Sequence, residues 1–417
     1  MIKLKSIFVL ILVIVLFVEA NAQSTSSYTR YGLGDVQYSY SARSLSMGHS
    51  GSALLNKDYV EIFNPASWSG LSRTRIEFSF VYNGLLLSNN SESKFYGDGD
   101  FKGFTFAFPV SQDNGVGVAM GVVPYSRLNY SVVLKDLDEG SNVGPYTSTY
   151  EGKGGLSKIF IGSSVKVPAD IILGATLDYY FGNLKYNSKI EFSNSTVFPS
   201  EYELRYGPTG FGTTVGLISP DLSGMLNSET ISDVRLSLSG NLISKLNADT
   251  SLTTRSSSII DSVGTGETKM EVPFRINAGL SITLSEKYIL VLDYFFQPWT
   301  EFKLNNVKQK NLKDAHKIST GFEYRPKKKL GASYWEQIMF RAGLSFEKSQ
   351  YTFNGNEVDQ YSAFAGFSLP LSPENTFDFA FEYSMRGTTE NNLLKENFFR
   401  FNLGISFGDI WFLRYEK

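Results

Sequence analysis

The chain has 417 residues, 39 basic against 41 acidic side chains, two histidines and no cysteine. So even a charge balance excludes a basic nucleic-acid partner surface. The missing thiols exclude disulfide stapling, a lipoprotein anchor and thiolate metal centres, and two isolated histidines leave no ligand set in their place.

The start has the form of an export signal. Lys3 and Lys5 precede an apolar run from Ile7 to Val18, and Ala20-Asn21-Ala22 forms a small-residue cleavage site. Twelve apolar residues are too few to span a bilayer comfortably. Residues 1–22 are therefore expected to be a signal peptide, with the mature chain starting at Gln23. Residues 23–73 are rich in Ser, Gly and Tyr and show no strand periodicity.

From Arg75 to Phe407 the chain alternates. Ile276, Ala278, Leu280, Ile282 and Leu284 interleave with Asn277, Gly279, Ser281 and Thr283. Phe399, Phe401, Leu403, Ile405 and Phe407 interleave with Arg400, Asn402, Gly404 and Ser406. Successive strand side chains face opposite ways, so each segment has one greasy and one polar face. Strands in one direction are expected near 74–83, 115–129, 171–186, 234–245, 288–299, 337–350 and 376–387. Strands in the other are expected near 100–109, 154–167, 207–218, 272–284, 317–325, 359–369 and 397–407. Short connections, such as Pro168 to Asp170 and Ser285 to Lys287, alternate with long polar ones, such as Tyr130 to Lys153 and Ser244 to Glu271. An array of β-sandwiches shares the period-2 pattern. Fourteen strands, short and long loops in turn, and an export signal favour an all-β antiparallel transmembrane barrel over residues 74–417, in the bacterial outer membrane. The Tyr excess, 24 residues, fits interfacial girdles.

Charge on the polar parity sorts the interior. Asp178, Asp293, Glu323, Arg341, Asp378, Glu382 and Arg400 would cost free energy facing lipid and are expected to form a paired lattice in the lumen. A barrel of this size encloses more space than its own side chains fill, so residues 23–73 are expected to enter it as a hatch. Leu85, Leu86 and Leu87, apolar at the start of the first long loop, are candidates for ligand capture or for the upper end of a lipid-facing strand. Chemistry is sparse. His316 beside Asp314 is the sole rim candidate for hydrolysis, His49 stands alone, and Gly152, Gly154 and Gly155 lack the strand-loop-helix context of a phosphate site. Lys327 to Lys329 and Asp136, Asp138 and Glu139 read as solvated turns. No enzyme activity, cofactor or metal is expected.

A family resemblance rests on particular residues. Arg43-Ser44-Leu45-Ser46-Met47-Gly48, then Gly51-Ser52-Ala53, then Asn64-Pro65-Ala66-Ser67-Trp68 resemble the hatch of the FadL-like long-chain fatty-acid and hydrophobic-compound transporters. Phe274 to Leu280 with Leu292-Asp293-Tyr294, and Tyr324-Arg325-Pro326 with Phe340 to Leu344, are similar to that family's later strands. Asp409 to Tyr415 resembles its Bacteroidetes branch, and His49 departs from an expected small residue. The resemblance implies a fourteen-stranded barrel in which Met47, Gly48, Gly51, Asn64, Pro65 and Ala66 support a gate. It implies passive uptake of a hydrophobic small molecule, fatty-acid-like, across the outer-membrane lipid. Some barrels of this type instead serve as fixed subunits or carriers in outer-membrane protein secretion or assembly complexes. Partnership with other outer-membrane or periplasmic proteins is the expectation then.

Overall fold

The computed structural model describes residues 26–136, 144–194, 196–256, 259–326, 333–353, 355–390 and 393–409. The expected signal peptide, Asp138, Glu139, Lys327 to Lys329 and most of the Asp409 to Tyr415 ending lie outside them. Among the described residues no helix is long and apolar enough to cross a membrane, a finding that does not bear on strands.

The strands in chain order are β1 Asp35–Val36, β2 Thr74–Ser88, β3 Ser93–Ser111, β4 Val116–Pro124, β5 Ser126–Asp136, β6 Tyr146–Lys166, β7 Ile172–Phe192, β8 Ser200–Ile218, β9 Ile231–Ile243 and β10 Leu246–Ser256. They continue with β11 Ile259–Glu271, β12 Arg275–Leu284, β13 Tyr288–Gln297, β14 Lys303–Leu304, β15 Val307–Lys308, β16 Ala315–Tyr324, β17 Met339–Phe353, β18 Asn356–Pro370, β19 Thr376–Arg386 and β20 Lys395–Asp409. One short helix, α1 Ala42–Ser46, precedes the barrel. Pairing is antiparallel throughout, and β20 closes on β2 from Thr74↔Asp409 to Ser88↔Lys395. β4 with β5, β9 with β10, and β11 with β12 each run as one bent stave. The result is a closed 14-strand antiparallel barrel.

Each expected strand core is present; the difference lies in length. β6 and β7 have 21 residues each and β8 has 19, where a tilted span needs about 9–11. The segments expected as long loops, Tyr130 to Lys153 and Ser244 to Glu271, are largely paired strand among the described residues. They raise one side of the wall above the bilayer. Above the lipid no apolar face is required. Pairing there rests on Thr and Tyr propensity and on charges such as the cross-strand pair Lys185–Glu203 at 2.5 Å, with Arg205 beside Glu203 on β8 at 2.5 Å.

The two faces separate as the alternation requires. Ile159, Ile161, Leu177, Leu238, Leu292, Ile318 and Leu344 are exposed on the outside. Aromatic pairs bracket the belt: Phe80–Phe101 and Tyr179–Phe211 toward the long-hairpin end, Tyr288–Tyr324 toward the short-turn end. The even parity of β7 and the odd parity of β2 turn inward and are buried.

Candidate functional site

Residues 26–73 run through the lumen from the outer end to the periplasmic end. Near the outer end Ser26 donates its backbone N–H to Asn129 at 2.9 Å, and β1 adds to β5 in the register Asp35↔Arg127, Val36↔Ser126. At mid-depth Ser41 caps α1 by accepting from Ser44 N at 3.2 Å. At the periplasmic end a 3₁₀ turn, Pro65–Gly70, follows Asn64. Pro65 keeps Asn64 extended (φ −128°, ψ 98°). The Asn64 amide then bonds three ways. Its Oδ1 accepts from Ala66 N at 3.1 Å, and its Nδ2 donates to Ser52 O at 2.9 Å and to Leu217 O at 3.3 Å. The tripeptide thus ties the segment to itself and to β8.

Wall glycines make room for this approach. A Cβ on Gly216 would fall 2.0 Å from Asn64 Oδ1, and one on Gly174 2.4 Å from Ala66 N. A second pair, Gly321 and Gly343, would bring a Cβ to 2.6 Å from Met47 O and 2.5 Å from Gly48 N. Met47, Asn64 and Ala66 are fully buried. The residues singled out by resemblance therefore press on the wall at points where the wall is stripped to backbone. Gly48 and Gly51 have φ of +75° and +120°, a region open to glycine.

Ion pairs fix the segment along its length. Glu323 accepts from Arg43 Nε at 3.0 Å, Arg341 Nε at 2.6 Å and Arg325 Nη2 at 2.7 Å. Arg341 continues to Ser368 at 2.6 Å and to Tyr59 OH at 3.1 Å, and Tyr59 donates to Asp378 at 3.1 Å. Asp293 accepts from the backbone N–H of Ser52 at 3.1 Å and of Gly51 at 3.3 Å. At the outer end Arg386 grips Glu396 at 2.7 Å, Asp35 at 2.8 Å and Ser26 at 2.6 Å. Arg75 pairs with Asp58 at the periplasmic end. All seven lumen charges expected from the polar parity face inward, and four of them (Glu323, Arg341, Asp378 and Asp293) hold the segment. Asp178 belongs to a wall network with Lys158 at 3.2 Å, Thr214 at 2.8 Å and Asn241 at 3.2 Å. Glu382 pairs with Arg400 at 2.6 Å.

Little space remains. The cavity between segment and wall has about 80 Å³ and is lined by Asp35, His49, Lys102, Lys317, Glu382 and Arg400 among others. Apolar side chains of the upper lumen, including Tyr28, Leu33, Tyr125, Leu128, Phe295 and Trp299, pack on one another. Burial, with Lys317, Arg400 and Lys102 nearby, holds the His49 imidazole well below its ordinary range.

Among the described residues the wall lacks a ladder at the upper end of β3, as it also does on the far side of β11 above Met270. β3 pairs with β4 only from Phe104↔Val122 downward, and β5 pairs with β6 and with β1. Between residues 93–103 of β3 and β5 there is no ladder. Side chains bridge the lower part of this seam: Arg127 to Asp98, Arg127 to Asp100 at 3.6 Å, and Asn129 to Asp98 at 3.3 Å. A cleft of about 500 Å³ opens here, lined by Asp98, Asp100, Lys102, Arg127 and Lys153 among others.

Other sequence candidates are not brought together. Leu85 is fully buried on β2 opposite Tyr96 and Phe398, and Leu86 and Leu87 are half-buried on the same strand. None of the three is a free loop residue, because β2 runs on to Ser88. His316 stands on the lipid-facing side, its Nδ1 2.8 Å from Tyr294 OH, while Asp314 accepts from Thr300 at 2.6 Å. The two do not pair. Asp35, Arg386 and Glu396 carry no expectation from sequence, nor do the wall glycines, and Arg43 enters there only as part of the family motif, without its Glu323 contact. Glycine on the inward parity of several strands was the available signal.

The BamG family model matches residues 1–416. The chain belongs to the BamG family. No curated protein matches it by sequence. Solved structures share its fold at low identity. The Pseudomonas putida toluene transporter TodX is 14% identical, with 91% of this chain and 100% of that one covered at a TM-score of 0.61. A Pseudomonas aeruginosa FadL homologue is 11% identical, covering 87% and 97% at 0.60. The CymD monoaromatic hydrocarbon channel is 15% identical, covering 91% and 99% at 0.56. This BamG-family chain is an outer-membrane β-barrel.

Proposed function

We propose that this barrel is sealed and serves as a fixed, non-transporting subunit or carrier in an outer-membrane protein secretion or assembly complex. The filled lumen carries the reading. A site for a drug- or lipid-sized ligand occupies about 300–1,000 Å³ and is mostly apolar; the cavity beside the segment has about 80 Å³ and a charged lining. Moving the segment would separate Arg43 from Glu323, Tyr59 from Asp378, Asp35 from Arg386 and the Gly51–Ser52 amides from Asp293 at once. Breaking one buried pair costs about 3–5 kcal/mol. A barrel that passes nothing acts through its surfaces, and this one raises a sheet above the membrane.

Passive uptake of a fatty-acid-like molecule through a hatch at Met47, Gly48, Gly51, Asn64, Pro65 and Ala66 is the second reading. The seam between β3 and β5 and the likeness in fold to a toluene transporter and a monoaromatic hydrocarbon channel favour it. The charged lining of that seam disfavours it.

Purification of the tagged protein from native membranes in mild detergent, with mass spectrometry of bound protein and lipid, separates the two. The subunit reading expects large partners in fixed ratio and no specific lipid. A lone barrel carrying a fatty acid that is lost on deleting residues 23–73 would overturn it.

A further inference from the structure

Arg275 differs from the lumen arginines that grip the segment. It opens β12 on the inward face and is 5% exposed, and among the described residues its Nε and Nη2 have no hydrogen-bond partner. On a guanidinium these two groups form one edge that takes an anion with two parallel bonds. Arg43 turns that edge on Glu323, at 3.0 Å and 3.5 Å. On Arg275 aromatic rings cover the faces and leave the edge uncommitted. Its Cζ stands 4.3 Å from the Tyr125 ring centroid, 5.3 Å from that of Phe295 and 5.7 Å from that of Phe63.

Ring contacts soften a buried charge without cancelling it. Arginine cannot shed its proton, and an unpaired charge away from water is costly. The carboxylates of this region are committed elsewhere. Asp178 accepts from Lys158, Thr214 and Asn241. Glu61 accepts from the backbone N–H of Ile62 at 2.8 Å and of Phe63 at 3.0 Å. Asp293 lies opposite Gly279, two inward positions farther along β12, and is turned to the Gly51 and Ser52 amides. Lys158 and Asp178 cancel, so Arg275 leaves one positive charge over.

Arg275 also lines a cavity of about 20 Å³, with Lys158, Thr214, Ser239, Asn241 and Asn277. One water-sized guest fits such a volume. The cavity shares Gln37, Val123 and Pro124 with the cleft at the seam, which gives it a route from outside past Lys102 and Arg127. A water between Arg275 and Asn277 Oδ1, itself without a partner among the described residues, would satisfy hydrogen bonds and leave the charge. An anion of the same size removes it.

We infer that Arg275 binds one small monovalent anion of the halide class, which neutralises the guanidinium where Tyr125, Phe295 and Phe63 pack around it. The inference goes beyond both readings of the barrel's role and depends on neither.

The probe is chloride, exchanged for gluconate at constant ionic strength, on the full-length barrel in detergent. Chloride at ten times its dissociation constant should raise the folded-to-unfolded ratio about elevenfold and then level off, read as a rise in the urea midpoint. Arg275→Gln keeps much of the shape without the charge, and its midpoint should ignore the exchange. Crystals of the native protein grown in bromide should show an anomalous peak against Arg275 Nε and Nη2. That map decides alone if Arg275→Gln does not fold. Water density without bromide at Arg275, or a peak at Lys102 or Lys317 in its place, would overturn the inference. So would a bromide peak with no chloride response in solution, which is binding at crystal concentration only, or a chloride response that Arg275→Gln retains, which is a bulk salt effect.

Discussion

The lumen and the seam obey opposite rules. In the lumen Glu323 is shared by three guanidinium groups, and wall glycines are cut back to fit the backbone of residues 47–48 and 64–66. At the seam β5 exposes Val133 and Leu134, and among the described residues its upper edge has no ladder. Unsatisfied groups at membrane depth are prohibitive, and above it they are only a template. The difference teaches where to look for work: closure is built inside, and vacancy is left outside.

Breaking the lumen should have the largest effect. Glu323→Ala leaves Arg43, Arg325 and Arg341 around a buried gap. We expect a loss of about 5 kcal/mol, read as failure to give the heat-modifiable folded barrel or as a collapsed urea midpoint. Arg386→Ala strips Asp35 and Glu396 at the outer end only. It should cost about 3 kcal/mol and should raise amide exchange in residues 26–40 while leaving residues 58–73 protected. Equal exchange along the whole segment would show one cooperative plug, not independent anchors. Gly216→Ala adds one methyl against Asn64 and should lower stability by about 1–3 kcal/mol, with proteolysis near Asn64–Trp68 as the local reading.

The smallest effect is one of pH. His49 is held neutral by burial beside Lys317, Arg400 and Lys102. Above pH of about 6.5 neither state binds a proton there. Below it the unfolded chain takes up a proton that the folded chain refuses, so stability falls as pH drops. His49→Asn, which suits the φ of 64° at this position, should flatten unfolding midpoints between pH 7 and pH 5. An unchanged slope would place the titration elsewhere.

How much of this was legible follows from what each region must satisfy. Lipid enforces a strict period of two, so Phe399 to Phe407 and Ile276 to Leu284 announce their strands and the lumen charges announce their parity. Above the bilayer that pressure ends, and the strand at Thr147 to Glu151 looks like loop. Leu85 lies on a strand that continues past the lipid and is buried there. Asn64-Pro65-Ala66 was legible as a local turn because proline and asparagine act on adjacent backbone. The Asp35–Arg386 pair joins residues 351 apart, and no local pattern announces such a contact. The seam is a missing pairing, which sequence periodicity does not record.

The most direct test of the central claim is single-channel recording of the purified full-length barrel in planar bilayers, without and with toluene and oleate, beside a variant lacking residues 26–73. A sealed barrel predicts silence under all three conditions for the full chain and steady conductance for the deletion. Spontaneous openings of the full chain, or openings elicited by either hydrophobic probe, would contradict it and return the protein to the uptake reading.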